Sequence, residues 1–135
     1  MTSRPEEMKQ MTKQFALRIV RLFRCLPRTT EARTLGQQLL RSGTSVAANY
    51  RAVCRFRSKA EFIAKIGVVV EEADEVVFWL ELLVEADMVE KSRASALIQE
   101  ARELLAIFAA SQITSRNHRQ KSTADNQSGD PAPTQ

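Results

Sequence analysis

The feature that most constrains the fold is a long run of apolar residues at helical spacing in the middle of the chain. Between positions 62 and 84, apolar residues recur at gaps of three and four, and a second row recurs at gaps of seven. Such spacing is typical of a helix that packs along a broad seam in a bundle. The first row is Phe62, Ile66, Val69, Ala73, Val76, Leu80 and Leu83, and the second is Ile63, Val70, Val77 and Val84.

Three other segments have the same helical period. The first runs from Met8 to Leu26 and is ended by Pro27, which lacks an amide donor. The second begins near Thr30 and the last near Ser92. Because short connections force neighbouring helices to run antiparallel, we expect an all-α protein with an up-down-up-down four-helix bundle.

Domain limits follow from where the apolar period begins and ends. We expect the bundle to span residues 8–113, preceded by a flexible N-terminus at 1–7. The polar residues 114–135 contain too little apolar surface to offset the entropy of ordering, so a disordered C-terminal tail is predicted.

Four polar residues are assigned structural roles. Ser58 and Glu61 form a capping-box pattern that should start the third helix. Asn49 lies in mid-helix among small residues near Ser45, where we expect it to sink inward and form a hydrogen bond across the bundle.

The residue types that carry most enzyme chemistry are scarce. His118 is the sole histidine and Cys25 and Cys54 are the only cysteines, which we expect to be buried, reduced and inert. There is no Glu-x-x-His motif for a di-metal bundle and no glycine-rich phosphate loop. We therefore predict no catalytic residues, no metal, no cofactor and no small-molecule substrate.

The sequence also favours a cytoplasmic location. No apolar run reaches the 18 residues that suggest a membrane span, and the first ten residues lack the apolar core of a signal peptide. Binding of the basic first helix to an anionic membrane remains a weaker alternative.

The two halves of the chain carry opposite charge. Residues 1–57 contain twelve Lys or Arg against three Asp or Glu, whereas residues 58–113 contain five against eleven. An asymmetry of this kind favours a polyanionic partner, nucleic acid first.

The candidate contacts for nucleic-acid phosphates are arginines of the first two helices and of the segment that follows them. Arginine forks at helical spacing can follow a phosphate backbone. The alternatives are a solvated surface or salt bridges to an acidic helix of another subunit. Only Tyr50 and Phe56 lie among these arginines, so support for base stacking is weak. The proposed set is Arg21, Arg24, Arg41, Arg51, Arg55 and Arg57.

Two further clusters lie on the third helix. The carboxylates Glu71, Glu72, Asp74 and Glu75 could form an acid/base group or a magnesium site. We favour a solvated face, or partners for the arginines of the second helix, because no other kind of ligand accompanies them.

Apolar residues near the end of this helix surround nearly its whole circumference. A bundle covers only one side of each helix, so three of them are candidates for a subunit interface. Alternatively, the first and fourth helices cover them. The three are Phe78, Trp79 and Leu82.

The chain resembles a family of bacterial four-helix bundle proteins encoded within 23S ribosomal-RNA intervening sequences, to which the accessory protein of diversity-generating retroelements is similar. The resemblance covers about Phe15 to Phe108 and is carried by QLLRSGTSVAANYRA, RSKAEF and EEADEVVFWLELLVEADMV. Many members have Glu-Gly soon after the asparagine, where this chain has Ala52 and Val53.

The resemblance implies a homo-oligomeric ring, often a pentamer, with a basic surface that binds RNA. It implies no enzymatic activity, and it makes a reverse transcriptase a candidate partner. We therefore expect a non-enzymatic homo-oligomer that binds RNA or DNA through helices one and two. The alternative is an assembly scaffold that binds no nucleic acid.

Overall fold

The structure, a computed structural model, describes residues 3–129. Within this range the chain forms four helices and no strand: α1 (Arg4–Arg24), α2 (Thr30–Val53), α3 (Lys59–Glu85) and α4 (Lys91–Gly129). Each helix packs against the next one in sequence, and a small contact between α1 and α4 closes the arrangement. The predicted all-α four-helix bundle is confirmed.

Helices α1, α2 and α3 each begin at a hydroxyl side chain that accepts a hydrogen bond from the amide three residues on. The caps are Ser3, Thr29 and Ser58, and the Ser58 Oγ lies 3.1 Å from the Glu61 nitrogen. Such caps satisfy amides that have no partner within the helix. The Glu61 carboxylate lies 3.1 Å from the Lys65 ammonium, whose hydrogen bond is the main cause that lowers the pKa of Glu61.

The start of α1 differs from the expectation that residues 1–7 are flexible. The helix already includes residues 4–7, because Ser3 caps it, Pro5 fits the first turn, and Glu6 and Glu7 lie where the helix dipole favours acidic side chains. These signals precede the first apolar residue of the period, which is why periodicity alone places the start too late. Residues 1 and 2 lie outside the described range.

The end of α4 also differs from the sequence expectation. The helix continues sixteen residues beyond Ile113 to Gly129, where a disordered tail was predicted from residue 114. Extending an existing helix adds one hydrogen bond per residue without a new nucleation cost, and no proline interrupts it. Ser115 is still buried. Residues 130–135 lie outside the described range.

The turn between α3 and α4 is a Schellman motif. Asp87 has a φ of 59°, in the left-handed region, and its amide donates to the Val84 carbonyl at 3.0 Å. The Met88 amide donates to the Leu83 carbonyl at 2.9 Å. These two bonds satisfy carbonyls at the helix end and reverse the chain direction, so that α4 packs back along α3.

The core follows the predicted seam closely. Six of the seven residues in the first row of α3 are buried, and Phe62 is partly buried. Each fully buried aliphatic side chain contributes about 1.5–3 kcal/mol. On the other helices the largest fully buried side chains include Phe15, Ile19, Leu39, Leu104 and Phe108.

The expectation about Asn49 is wrong. The Asn49 amide donates to the Ser45 carbonyl at 2.9 Å in the same helix, so this bond is not the predicted link across the bundle. Asparagine readily forms a hydrogen bond to the backbone carbonyl four residues back.

Contrary to expectation, the two cysteines are not fully buried. Cys25 is exposed at the end of α1, where Arg93 donates a hydrogen bond to its Sγ at 3.1 Å, while Cys54 is half-buried.

Candidate nucleic-acid interface

A groove of about 610 Å³ runs between the first half of α1 and the second half of α2. Its base consists of short side chains on α2, namely Thr44, Ala47 and Ala48. Because these residues are small, they leave room between the longer polar side chains on both sides. We call this site the basic groove, and its polar lining is Glu6, Lys9, Gln10, Lys13, Arg51 and Arg55.

The cations of the basic groove form two short rows. Lys9 and Lys13 are four residues apart on α1 and share one face of that helix. Arg51 lies in the last turn of α2, and Arg55 follows two residues after the end of that helix at Val53. Lys9 forms an ion pair with Glu6 at 2.8 Å. The other three form no ion pair with any described residue. The groove therefore carries excess positive charge.

Arg41, unlike the arginines of the basic groove, is paired with carboxylates. Its guanidinium lies 3.2 Å from Glu72 Oε2 and 3.1 Å from Glu75 Oε1 on α3. Hydrogen bonding to Glu75 is the main cause that raises the pKa of Arg41. Arg41 is thus compensated within the same chain, and we leave it out of the basic groove.

The acidic cluster of α3 consists of two carboxylates that pair with Arg41 and two that are exposed to solvent. Glu72 and Glu75 bind Arg41, while Glu71 and Asp74 are exposed. Burial raises the pKa of Glu72 and the charge of Arg41 partly offsets that effect. No group of three or more metal-ligating side chains exists among the described residues.

The remaining candidate arginines lie outside the groove. Arg21 and Arg24 are exposed near the other end of α1, about 18 Å or more from Lys9 along the helix axis. Arg57 lies in the connection between α2 and α3, close enough to Glu61 for its charge to lower the pKa of that carboxyl slightly. The six arginines are therefore not one surface.

Sequence reasoning left two groove cations, Lys9 and Lys13, out of the proposed contacts. Their spacing of four residues on α1 is the signal that points to a shared face. What the sequence does not contain is the pairing of that face with the Arg51 face of α2.

A second groove, of about 620 Å³, lies between α3 and α4 and has a different charge. Its lining mixes Glu81 and Glu85 with Lys91 and Arg102. Arg102 binds Glu81 at 2.6 Å across the groove. Opposite charges offset each other there, unlike in the basic groove.

The three proposed interface residues of α3 are not equally exposed. The Phe78 side chain is 53% exposed, whereas Trp79 and Leu82 are half-buried. The Phe78 and Trp79 rings meet edge to face at 4.9 Å. The Trp79 Nε1 is buried without a hydrogen-bond partner among the described residues. Packing against the core covers much of Trp79, but Phe78 is left open.

None of the described helices has the unbroken apolar length needed to cross a bilayer.

Comparison with known proteins places the chain in a family. The family model described as 23S rRNA-intervening sequence protein matches residues 5–110. A crystal structure of a protein of unknown function from the S23 ribosomal protein family of Bacteroides thetaiotaomicron superposes with a TM-score of 0.72 at 31% identity. That match covers 77% of this chain and 96% of the other. No curated protein matches the chain. The chain belongs to the 23S rRNA-intervening sequence protein family.

Proposed function

We propose that this protein binds nucleic acid through the phosphate backbone and catalyses no reaction itself. The observation that carries the proposal is the basic groove, in which Lys13, Arg51 and Arg55 have no carboxylate partner among the described residues. Cations that share a groove attract a polyanion more strongly than isolated cations do. The guanidinium fork of arginine also matches phosphate oxygens in a bidentate manner.

The strength of this binding depends on salt. Each neutralised phosphate releases condensed counterions, so the logarithm of the affinity falls linearly with the logarithm of salt concentration, with a slope of about −0.9 per contact on duplex and −0.7 on a single strand. The four cations of one basic groove predict a slope of about −3.6 on duplex and about −2.8 on a single strand.

The test is a fluorescence-anisotropy titration of labelled RNA and DNA at several salt concentrations. Arg51→Glu/Arg55→Glu should abolish most of the affinity and flatten the slope. Arg24→Glu/Arg28→Glu is the matched control, since it changes the net charge equally near the far end of α1 and breaks no ion pair with a described residue. Equal losses in both variants, or a salt-independent affinity, would contradict the proposal.

We further propose that the protein works in the cytoplasm as a homo-oligomeric ring, with a pentamer favoured, in which Phe78 anchors the contact between subunits. The support is that a large aromatic is half-exposed on α3 beside partly buried Trp79 and Leu82. Aromatic anchors of this kind often dominate the energy of an interface.

Multi-angle light scattering tests this assembly. Phe78→Lys should reduce the molar mass towards that of a monomer. Ile113→Lys is the control, because Ile113 is 58% exposed but lies on α4. An unchanged molar mass for Phe78→Lys would show that Phe78 does not anchor the contact between subunits.

An assembly scaffold without nucleic-acid binding is the alternative. It is favoured by the exposed carboxylates of α3, Glu71 and Asp74, which could meet the basic groove of another subunit. In that case Arg51→Glu/Arg55→Glu would dissociate the oligomer, and the wild-type protein would bind neither RNA nor DNA.

A further inference from the structure

Phe56 is an exposed aromatic residue next in sequence to Arg55, the last residue that lines the basic groove. It lies in the connection between α2 and α3 and directly follows Arg55, so the two Cα atoms are about 3.8 Å apart. Half of its side chain is exposed. Tyr50, the other aromatic residue among the arginines, is buried with its ring 5.3 Å from that of Phe108.

The Phe56 ring is supported from one side. It meets Phe62 of α3 edge to face, with ring centroids 5.3 Å apart and an angle of 74°. In such a contact Phe62 covers at most one face of the Phe56 ring. A planar group therefore has a face on which to stack.

The charge around Phe56 suits a nucleotide. Arg55 lines the basic groove without an ion pair to any described residue, and Arg57 follows Phe56 in sequence. Proteins that bind single strands combine a cationic path for phosphates with aromatic rings for bases. In a duplex, the bases already stack on each other and offer no free face to such a ring.

Phe78 provides a contrast within the same protein. It is exposed to the same degree and also meets another aromatic ring edge to face. Its neighbours three and four residues away on α3 include Glu75 and Glu81, which are paired with Arg41 and Arg102, and Asp74, which is exposed and forms no ion pair with a described residue. The uncompensated charge beside Phe78 is therefore negative. The two phenylalanines are equally exposed, but the charge around Phe56 is positive and the charge around Phe78 is negative.

We propose that Phe56 stacks on an unpaired base while the basic groove holds the adjacent phosphates, so that the protein prefers single-stranded nucleic acid to duplex. This inference rests on the proposed function and adds the class of substrate to it. The Phe56 ring supplies the preference for unpaired bases, and the groove supplies affinity common to all strands.

The experiment compares three labelled probes of equal length: a single strand, the duplex of the same sequence, and a strand whose bases are replaced by abasic sugars. Phe56→Ala should weaken binding of the single strand about tenfold, since one base stacked on an aromatic ring contributes on that order. Binding of the duplex and the abasic strand should change less than about twofold, because neither offers a base to the ring. Phe56→Tyr keeps an aromatic face and should bind like the wild type.

Ile113→Ala truncates a comparably exposed apolar side chain on α4 and is the control, which should leave the affinity for all three probes unchanged. Thermal melting of each variant checks that the loss of the Phe56–Phe62 contact leaves the bundle folded. An equal loss on all probes for Phe56→Ala, or no loss on the single strand, would overturn the stacking proposal and leave the basic groove in place. If the wild type bound no probe, both proposals would be removed.

Discussion

Gly43 of α2 and Ile19 of α1 approach so closely that a Cβ atom on Gly43 would lie 2.9 Å from Cγ2 of Ile19. Because isoleucine branches at Cβ, this methyl group cannot rotate away freely. The contact fixes the separation of α1 and α2 directly before the base of the basic groove, which begins at Thr44, the next residue of α2. Helix spacing and the shape of the proposed binding site therefore depend on the same pair of residues.

Gly43→Ala should destabilise the protein despite the higher helix propensity of alanine. Propensity favours alanine by about 1 kcal/mol, while overpacking of a tight core contact costs about 1–3 kcal/mol. We expect a net loss of about 1 kcal/mol in the free energy of unfolding, measured by urea denaturation.

Gly67→Ala is the matched control for that substitution. A Cβ atom there would lie 2.8 Å from Nε2 of Gln112, which is the far end of a flexible side chain. That amide can move, so stability should stay the same or rise by up to about 1 kcal/mol. A similar loss for both variants would show that the Ile19 contact is not the cause.

Arg41→Gln should reveal the burial of Glu72 through the pH dependence of stability. Arg41 is 47% exposed, so at neutral pH the free energy of unfolding should fall by no more than about 1 kcal/mol. Burial raises the pKa of Glu72, which means that the folded state binds this proton more tightly than the unfolded state does. Stability from this carboxyl is therefore present below the unfolded pKa of 4.5 and is lost as pH rises through the folded pKa.

Removing Arg41 raises the folded pKa of Glu72 further. The difference in the free energy of unfolding between wild type and Arg41→Gln should therefore narrow as pH falls from neutral to below that pKa. Urea denaturation at both pH values measures the gap, and carbon NMR of the Glu72 carboxyl measures its titration. Arg102→Gln breaks an ion pair whose two side chains are more exposed than those of Arg41 and Glu72. It should therefore lower the free energy of unfolding by less than Arg41→Gln does. A gap that widens on acidification, or a lower pKa of Glu72 in the variant, would contradict this account.

Tyr50 is the only tyrosine, so tyrosinate absorbance reports on it alone. Burial raises its pKa to about 12, and the neighbouring Cys54 thiol adds to the effect. The folded state thus holds the phenolic proton more tightly, and the stability it contributes is lost as pH rises from 10 towards 12.

Absorbance titration of the folded protein should give a midpoint well above that of the protein unfolded in urea. Cys54→Ala should lower the folded midpoint while leaving the ring packed on Phe108. Tyr50→Phe should be more resistant to alkaline unfolding than the wild type. Coincident midpoints in the folded and unfolded protein would show that the ring is not buried as described.

Much of the fold could be predicted because it depends on local patterns. The periodicity of α3 predicted its buried face, and the Ser58 and Pro27 signals placed the ends of helices. Predictions were less accurate at the two ends of the bundle, where the limits of the apolar period were the main guide: α1 starts before its first apolar residue, and α4 continues beyond Ile113. Asn49 was misassigned because neighbours of small size permit a cross-bundle bond but do not require it.

The candidate site could be predicted only in part. Arg41 and Arg51 both lie on α2, yet Arg41 meets Glu72 and Glu75 of α3, while Arg51 lines the basic groove beside α1. Ten residues separate these two arginines, which places them about 80° apart around the helix axis, and that angle decides which neighbouring helix each one faces. No property of α2 by itself contains that information.

The sequence by itself determined the helices, their order and their buried faces, because hydrogen bonding and the 3.6-residue period act between residues close along the chain. Only the packing of the helices decided which arginines are compensated across the bundle: Arg41 is paired with carboxylates of α3, whereas Arg51 and Arg55 are paired with no described residue. Electrostatic attraction depends on distance in space and on exposure to screening solvent, and both are set only when the helices pack.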